Sequence, residues 1–342
     1  MSHPGFLLTE PFEITTSSGT PFKVFTPFAK AVQANLLDSP PAPAAAPRIT
    51  PADVDVEAFS NWATETEPFW AADTLARHCE PGEDAALRRL EAFLSKGAYD
   101  NDTLGAGSTS GLSPHLRFGE VSPATVWAAA VEHPHTAGFL RQLIWRDFAW
   151  HRYFHVEDLE TRNVREQFDQ FEWAWTPRAA PGSTKHAFAN PDMEPDAVHL
   201  EHLTAWQRGE TGVLLVDAGM RELWATGTMH NRARMVVGSW LTKNLGIHWR
   251  HGEEWFWDTL VDADVASNPF NWQWVAGSGD DAAPYFRIFN PVLQQEKFDP
   301  DASYVTRWVP EVHTPLYPEP MVDIKESRKT ALAAYEDMRS GL

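Results

Sequence analysis

Five short stretches put chemistry-bearing side chains at spacings that could serve one site. Through "RQLIWRDF" and the residue after it, Gln142, Trp145, Arg146 and Ala149 fall on one helical face. An amide, an indole and a guanidinium on one face could wall a ligand. A half-buried helix with a snorkelling arginine would carry the same pattern. "MHNRARM" gathers His230, Asn231, Arg232 and Arg234, and Asn231, Arg234 and Met235 can share a face. Such a set could hold a phosphate or a base edge, or could simply face solvent. In "DAD", Asp262 and Asp264 lack the further ligands that a metal needs. A partner arginine suits them better, and Arg234 is the candidate. "GSTSGLSPHLRFGEVSP" offers backbone N–H groups and hydroxyls to an anion, or is a capped loop between helices. "SNPFNWQWVAG" sets Trp272 and Trp274 two residues apart. A core could use them, and so could base stacking, the lining of a planar cofactor or an electron relay. The chain has 16 Trp, so most of them are core residues.

The elements that must position these residues read as helices. "EDAALRRLEAFLSKGAYD", "SPATVWAAAVEH", "TAGFLRQLIWRDFAWHRYFH" and "ESRKTALAAYEDMRSG" repeat apolar residues every three or four positions. "DVEAFSNWATETEPFW" and "EWFWDTLVDADVASN" do the same, and "MRELWATGTMHNRARMVVGSWLTKNL" reads as one long helix. Strand-like alternation is nearly absent after residue 50. Residues 6–30 read as an irregular arm, and "SPPAPAAAPR" as a stiff Pro/Ala linker. The segment Ala174–Glu194 reads as an inserted loop. With 342 residues, 43% of them hydrophobic, the chain can bury a sizeable core. It shows neither a long apolar span nor a secretory signal, so a cytoplasmic protein with no membrane partner is expected. The one cysteine, Cys79, excludes an intrachain disulfide and a Cys-rich zinc site. A net charge of −19 argues against a general nucleic-acid binder, but not against a local patch of arginines.

Together "TSGLSPHLRFGEVSP", "QLIWRDF", "AWQRGETGVLLVDAGMRELWATGTMHNRARM" and "NWQWVAGSGDDAAPYFRIFNP" resemble the photolyase/cryptochrome family, in its order and near its spacings. The resemblance runs from about residue 6 to the end and points to microbial class I cyclobutane pyrimidine dimer photolyases. It implies an all-α fold: an arm and linker over 1–48, then a helical FAD-binding catalytic domain over 49–342. "LLTEPFEITTSSGTPFKVFTPF" looks like the family's passage out of an N-terminal α/β antenna domain. That domain is expected to be lacking, and no antenna chromophore with it.

The resemblance carries roles to matching positions. Tyr99, Thr109, Ser110, Gly111, Leu112 and Ser113 would hold the FAD phosphates and ribityl chain. Phe139, Gln142, Arg146, Asn231, Arg234, Phe256, Asp262, Asp264 and Asn268 would line the flavin, with Asn268 near its N5. Gln142, Trp145, Arg146, Asn231, Arg232, Met235, Trp274, Arg287 and Gln294 would meet UV-damaged DNA and its flipped dimer. Trp272, Trp249 and Trp173 would relay electrons. For the last, the family position counted back from Trp206 falls on Asp196, which cannot relay. "FDQFEW" resembles the stretch ending in that tryptophan, which assigns Trp173, with Trp175 in reserve. In an extended loop, Trp272 and Trp274 would point to opposite sides, one to flavin and one to DNA. The implied reaction is light-driven electron transfer from reduced FAD to the dimer, by a monomer and without a metal. The alternatives are a cryptochrome-like photoreceptor or repair of the (6-4) lesion. Gln142 stands where dimer photolyases usually carry Glu, and its amide can donate a hydrogen bond but not a proton. Thr228 replaces a usual Trp, and Thr103 an Arg that commonly touches DNA. Arg117, Arg146, Arg232, Arg287 and Lys297 would then supply the basic rim.

Overall fold

The computed structural model describes residues 5–42, 71–96, 99, 103–105, 109–174, 197–282 and 286–341. These residues form helices with no extended strand, the one β-bridge being Ala174 with Ile247. In chain order the helices are α1 (Phe25–Asp38), α2 (Ala72–His78), α3 (Glu83–Ser95), α4 (Ser113–Phe118), α5 (Pro123–Ala130) and α6 (Ala137–His155). A 3-10 turn, Glu166–Gln170, follows. Then come α7 (Ala197–Arg208), α8 (Leu214–Thr226), α9 (Asn231–Ser239), α10 (Trp249–Thr259) and α11 (Ser267–Ala276). The chain closes with α12 (Pro291–Phe298), α13 (Ser303–Trp308) and α14 (Ile324–Ser340). The candidate helix over "DVEAFSNWATETEPFW" lies outside the described residues, as do Trp175 and all but the first residue of the inserted loop.

Three expectations change. The arm is not irregular throughout. From Phe25 it becomes α1, which runs on to Asp38 and buries Phe25, Phe28, Ala29, Val32 and Leu36 at i, i+3, i+4 spacing against Phe148 and Ala149 of α6. The single long helix over 220–245 is broken. Gly227 takes a left-handed φ of 70° and ends α8, and the His230 ring then accepts the Arg232 N–H at 3.2 Å to start α9. Finally, the Trp272–Trp274 stretch is helix, not extended loop. Asp264 Oδ1 accepts the N–H groups of Ala266 and Ser267 at 2.8 and 2.6 Å, satisfying donors that a helix start leaves open. Pro269 sits in the first turn, where it interrupts no helical hydrogen bond. Residues two apart on a helix are ~200° apart around its axis, so the two indoles still diverge.

The core has three parts. The largest surrounds the fully buried Trp206, Trp240 and Trp249 and joins α7 through α11 to α14. Trp206 satisfies its N–H on the Val237 carbonyl at 3.1 Å. The second joins α1 to α6, and the third joins α3, α4 and α5 to α6. Helix α6 thus belongs to two cores, and its remaining face is left for the site. The first half of the arm is bonded to it side chain by side chain. Asp147 Oδ2 accepts the Leu8 and Thr9 N–H groups, each at 2.9 Å. His151 accepts the Phe22 N–H at 3.1 Å, and Arg152 donates to the Phe22 carbonyl at 3.0 Å.

Candidate functional site

A cavity of about 400 Å³ opens between α6, α9, α10 and α11. That is in the range of small-molecule and cofactor sites. Helix α6 contributes the face read in the sequence: Gln142, Trp145, Arg146 and Ala149. Helix α9 adds Asn231, Arg234 and Met235. The loop after α10 brings Asp262 and Asp264, and α10 itself Phe256. Asn268, Trp272 and Trp274 come from α11. Three stretches, around residues 142–149, 231–238 and 256–275, therefore meet on one hollow.

Its electrostatics are built around an ion pair. Arg234 Nη2 donates to Asp262 Oδ2 at 2.9 Å, and the Asp262 side chain is only 6% exposed. Burial, the largest single influence, would raise the Asp262 carboxyl, but the Arg234 charge together with hydrogen bonds from Arg234 and Ser113 holds the group below the usual carboxylate range. The second oxygen, Asp262 Oδ1, is buried without a hydrogen-bond partner. Asn268 donates its amide to the Glu253 carbonyl and carboxylate at 2.9 and 2.8 Å. Its amide oxygen is then the atom turned to other use. Arg146 donates to the Phe6 and Leu116 carbonyls and lies over the Phe6 ring, 4.1 Å from its centroid.

The two indoles of the DNA reading are anchored differently. Trp145 lies flat on Phe25 of α1, with centroids 3.5 Å apart and planes 3° from parallel. Trp274 donates its N–H to the Asp281 carbonyl at 3.1 Å. Trp272 is 4% exposed and packs edge to face on Phe256 at 4.9 Å and on Trp206 at 6.2 Å. Its ring edge rests on Gly252, where a Cβ would come within 2.1 Å. Gly252 stands one turn after Trp249 on α10. Trp173 is buried and donates to the Thr242 carbonyl at 3.2 Å. Between Trp173 and Trp249 lies the His248 ring, 4.7 Å from one and 5.4 Å from the other. Burial holds that imidazole well below its usual pKa, so it is neutral.

Other predicted site residues do not line this cavity, although Ser113 reaches its edge through a hydrogen bond to Asp262. Phe139 is a core residue, 3% exposed and 4.7 Å from Phe93, with Tyr99 at 5.8 Å. The Thr109–Ser113 run leads into α4. Gly111 there has a φ of 64° and Leu112 is fully buried, while Thr109 and Ser113 are exposed. Arg232 stacks over Phe298 at 4.2 Å, and Arg287 is exposed near Phe289. Gln294 is half-buried, with its Oε1 lacking a hydrogen-bond partner. Thr228 bonds Thr226 at 2.9 Å. Sequence reasoning missed Phe25, Gly252 and Glu253. Each acts through a contact distant in the sequence, and nothing in its local pattern marks it. Among the described residues, no group of carboxylates, histidines and cysteine could hold a metal, and no helix is long and apolar enough to cross a membrane.

The family model of the FAD binding domain of DNA photolyase matches residues 139–316, more than half of the chain. This chain belongs to the photolyase/cryptochrome family. A deoxyribodipyrimidine photo-lyase of Agrobacterium fabrum is 43% identical across 98% of this chain and 72% of that protein. A crystal structure of a bacterial class III photolyase from Agrobacterium tumefaciens superposes with a TM-score of 0.78 at 41% identity, over 98% of this chain and 72% of that one. The class I assignment finds no support, since that similar structure is of class III. An archaeal photolyase from Sulfolobus tokodaii, described with two FAD molecules, superposes with a TM-score of 0.70 at 26% identity, over 97% of this chain and 71% of that one. The all-α fold is that of the family's FAD-binding domain.

The cavity fits a flavin by its donor set. Phe256, Trp272 and Leu260 give apolar walls, Asp262 Oδ1 still needs a donor, and the Asn268 oxygen and the Arg234 charge offer polar contacts.

Proposed function

We propose that the protein is a light-driven lyase that splits cyclobutane pyrimidine dimers in DNA, with FAD held by the α9–α11 side of the cavity. When bound, FAD supplies light absorption and the electron that opens the dimer. The observation that carries this reading is the meeting of Trp145, Gln142, Asn231, Met235 and Trp274 on the hollow that also holds the Arg234–Asp262 pair.

The chain's own residues then have separate duties. Trp145 and Trp274 present aromatic surface to a base turned out of the duplex. The Gln142 amide donates a hydrogen bond to a pyrimidine carbonyl without giving up a proton. Asn268, its amide nitrogen held by Glu253, would offer its oxygen to the cofactor. Arg234 keeps a fixed positive charge beside it, and Asp262 keeps that charge in place. Phe256 and Leu260 exclude water. Trp173, Trp249 and Trp272 pass an electron in that order towards the cavity, with His248 filling the gap between the first two. The Thr109–Ser113 turn would bind the cofactor's phosphates through backbone N–H groups. Residues 49–342 are the catalytic unit in this reading, acting as a monomer.

The test is repair of an oligonucleotide carrying one thymine cyclobutane dimer, by purified protein with reduced FAD, in light and in darkness. Light-dependent loss of the dimer is expected. No loss from the dimer but loss from a (6-4) oligonucleotide would transfer the activity to that lesion. No loss from either, with FAD bound, would leave the photoreceptor.

A further inference from the structure

Trp249 opens α10 with its indole fully buried, yet its N–H reaches a single side chain: Nε1 donates to Asn163 Oδ1 at 2.9 Å. Asn163 lies in the loop after α6. Its amide nitrogen donates in turn to Asp169 Oδ1 at 2.7 Å, in the 3-10 turn. An indole N–H can only donate and a carboxylate can only accept, so the amide between them has one orientation. The loop is locked to α11 as well. Gln273, fully buried between Trp272 and Trp274, accepts the Val164 N–H at 2.9 Å. It also donates to the carbonyls of Leu159 and Arg162 at 2.7 and 2.8 Å. The helix that carries Trp272 therefore fixes the acceptor of Trp249.

We propose that Asn163 and Asp169 position and tune Trp249 while an electron passes through it; the proposal rests on the relay reading above. The electron leaves Trp249 for the oxidised Trp272 indole, and Trp249 becomes a cation radical. No heavy-atom bond breaks. The proton stays on Nε1, because an amide oxygen is too weak a base to take it. The Asp169 charge polarises the amide and stabilises the positive indole through two hydrogen bonds in series. The hole then passes to Trp173, whose N–H also donates to an amide oxygen, the Thr242 carbonyl. An external one-electron reductant such as a thiol finally fills it.

Flash photolysis of the FAD-loaded protein tests this, since absorption distinguishes a tryptophan cation radical from its deprotonated form. The wild type is expected to show the cation. Asp169→Asn keeps an acceptor on an exposed position but removes the charge. It should lower the Trp249 cation population roughly two- to fivefold, the equivalent of ~0.4–1 kcal/mol. Asn163→Leu should lower it further. A second readout needs neither light nor FAD. In protein with isotope-labelled tryptophan, the indole N–H resonance that vanishes in Trp249→Phe should shift in Asn163→Leu. A deprotonated radical in the wild type overturns the proposal, and so does an unchanged cation in both variants. If Trp249→Phe leaves the radical signal intact, the relay itself fails and the pair's role fails with it.

Discussion

At the scale of single residues, the site depends on groups too small to be noticed in the sequence. Gly252 is the clearest. Trp272 lies so close that a Cβ at 252 would stand 2.1 Å from its Cη2 atom. No rotamer of alanine relieves that contact, so the indole or the helix must move. Gly252→Ala should cost ~1–3 kcal/mol of stability through overpacking. It should also displace Trp272 from its edge contact with Phe256. Thermal unfolding reads the first effect and near-UV circular dichroism of the tryptophans reads the second. A variant with the wild-type Tm and the wild-type spectrum would show that the ring is not held by that glycine.

At the scale of elements, α6 bears the most. One face packs on α1, another on α3 to α5, and the third walls the cavity. Asp147 fastens it to the arm, and burial pushes that carboxyl up to about 7 despite the hydrogen bonds from Thr9 and Leu8 and the nearby Arg146 charge. Its Oδ1 is buried without a partner, a place where a proton would sit. The folded pKa lies above the unfolded value of 3.8, so the folded state binds the extra proton between the two. This contribution to stability is complete below the lower value and is lost as pH rises through about 7. The wild type should therefore lose stability relative to Asp147→Asn between about pH 4 and about pH 7, by at most ~1.36 kcal/mol per pH unit. Paired melting curves measure it; parallel curves would remove Asp147 from the clamp. The helices and their site faces were legible in the sequence because a helical face is a local pattern. The Gln142, Trp145, Arg146 and Ala149 set was read that way, whereas the Arg234–Asp262 pair was read from opposite charges that each needed a partner. Helix ends were less legible, as Gly227 and His230 show: a left-handed turn and a histidine cap break a pattern whose apolar period continues through them. What the arm bonds to could not be read at all, because its partners stand more than a hundred positions away.

At the scale of the molecule, the charge of −19 sets the terms for DNA. Of the cations expected at the rim, Arg117 donates to the Ala263 carbonyl at 2.6 Å and Arg146 to the arm. Arg232 covers Phe298. Arg287 and Lys297 are the most exposed of the five, although Arg287 lies over Phe289 at 5.9 Å and Lys297 over Phe298 at 4.9 Å. Two phosphate contacts give a salt slope of about −1.8, or roughly a tenfold loss of affinity from ~50 to ~200 mM salt, whereas five would give roughly 500-fold. Titration of an undamaged duplex at several salt concentrations separates these, and the shallow slope is expected. The Phe25–Trp145 contact has a different consequence. One face of the indole is already covered, with the Arg141 guanidinium 5.0 Å from the Phe25 centroid as well. A planar ring settling on the open face would lengthen a column that begins outside the catalytic helices, in the arm. To such a ring the protein would resemble the blunt end of a duplex, a stack waiting for its next member.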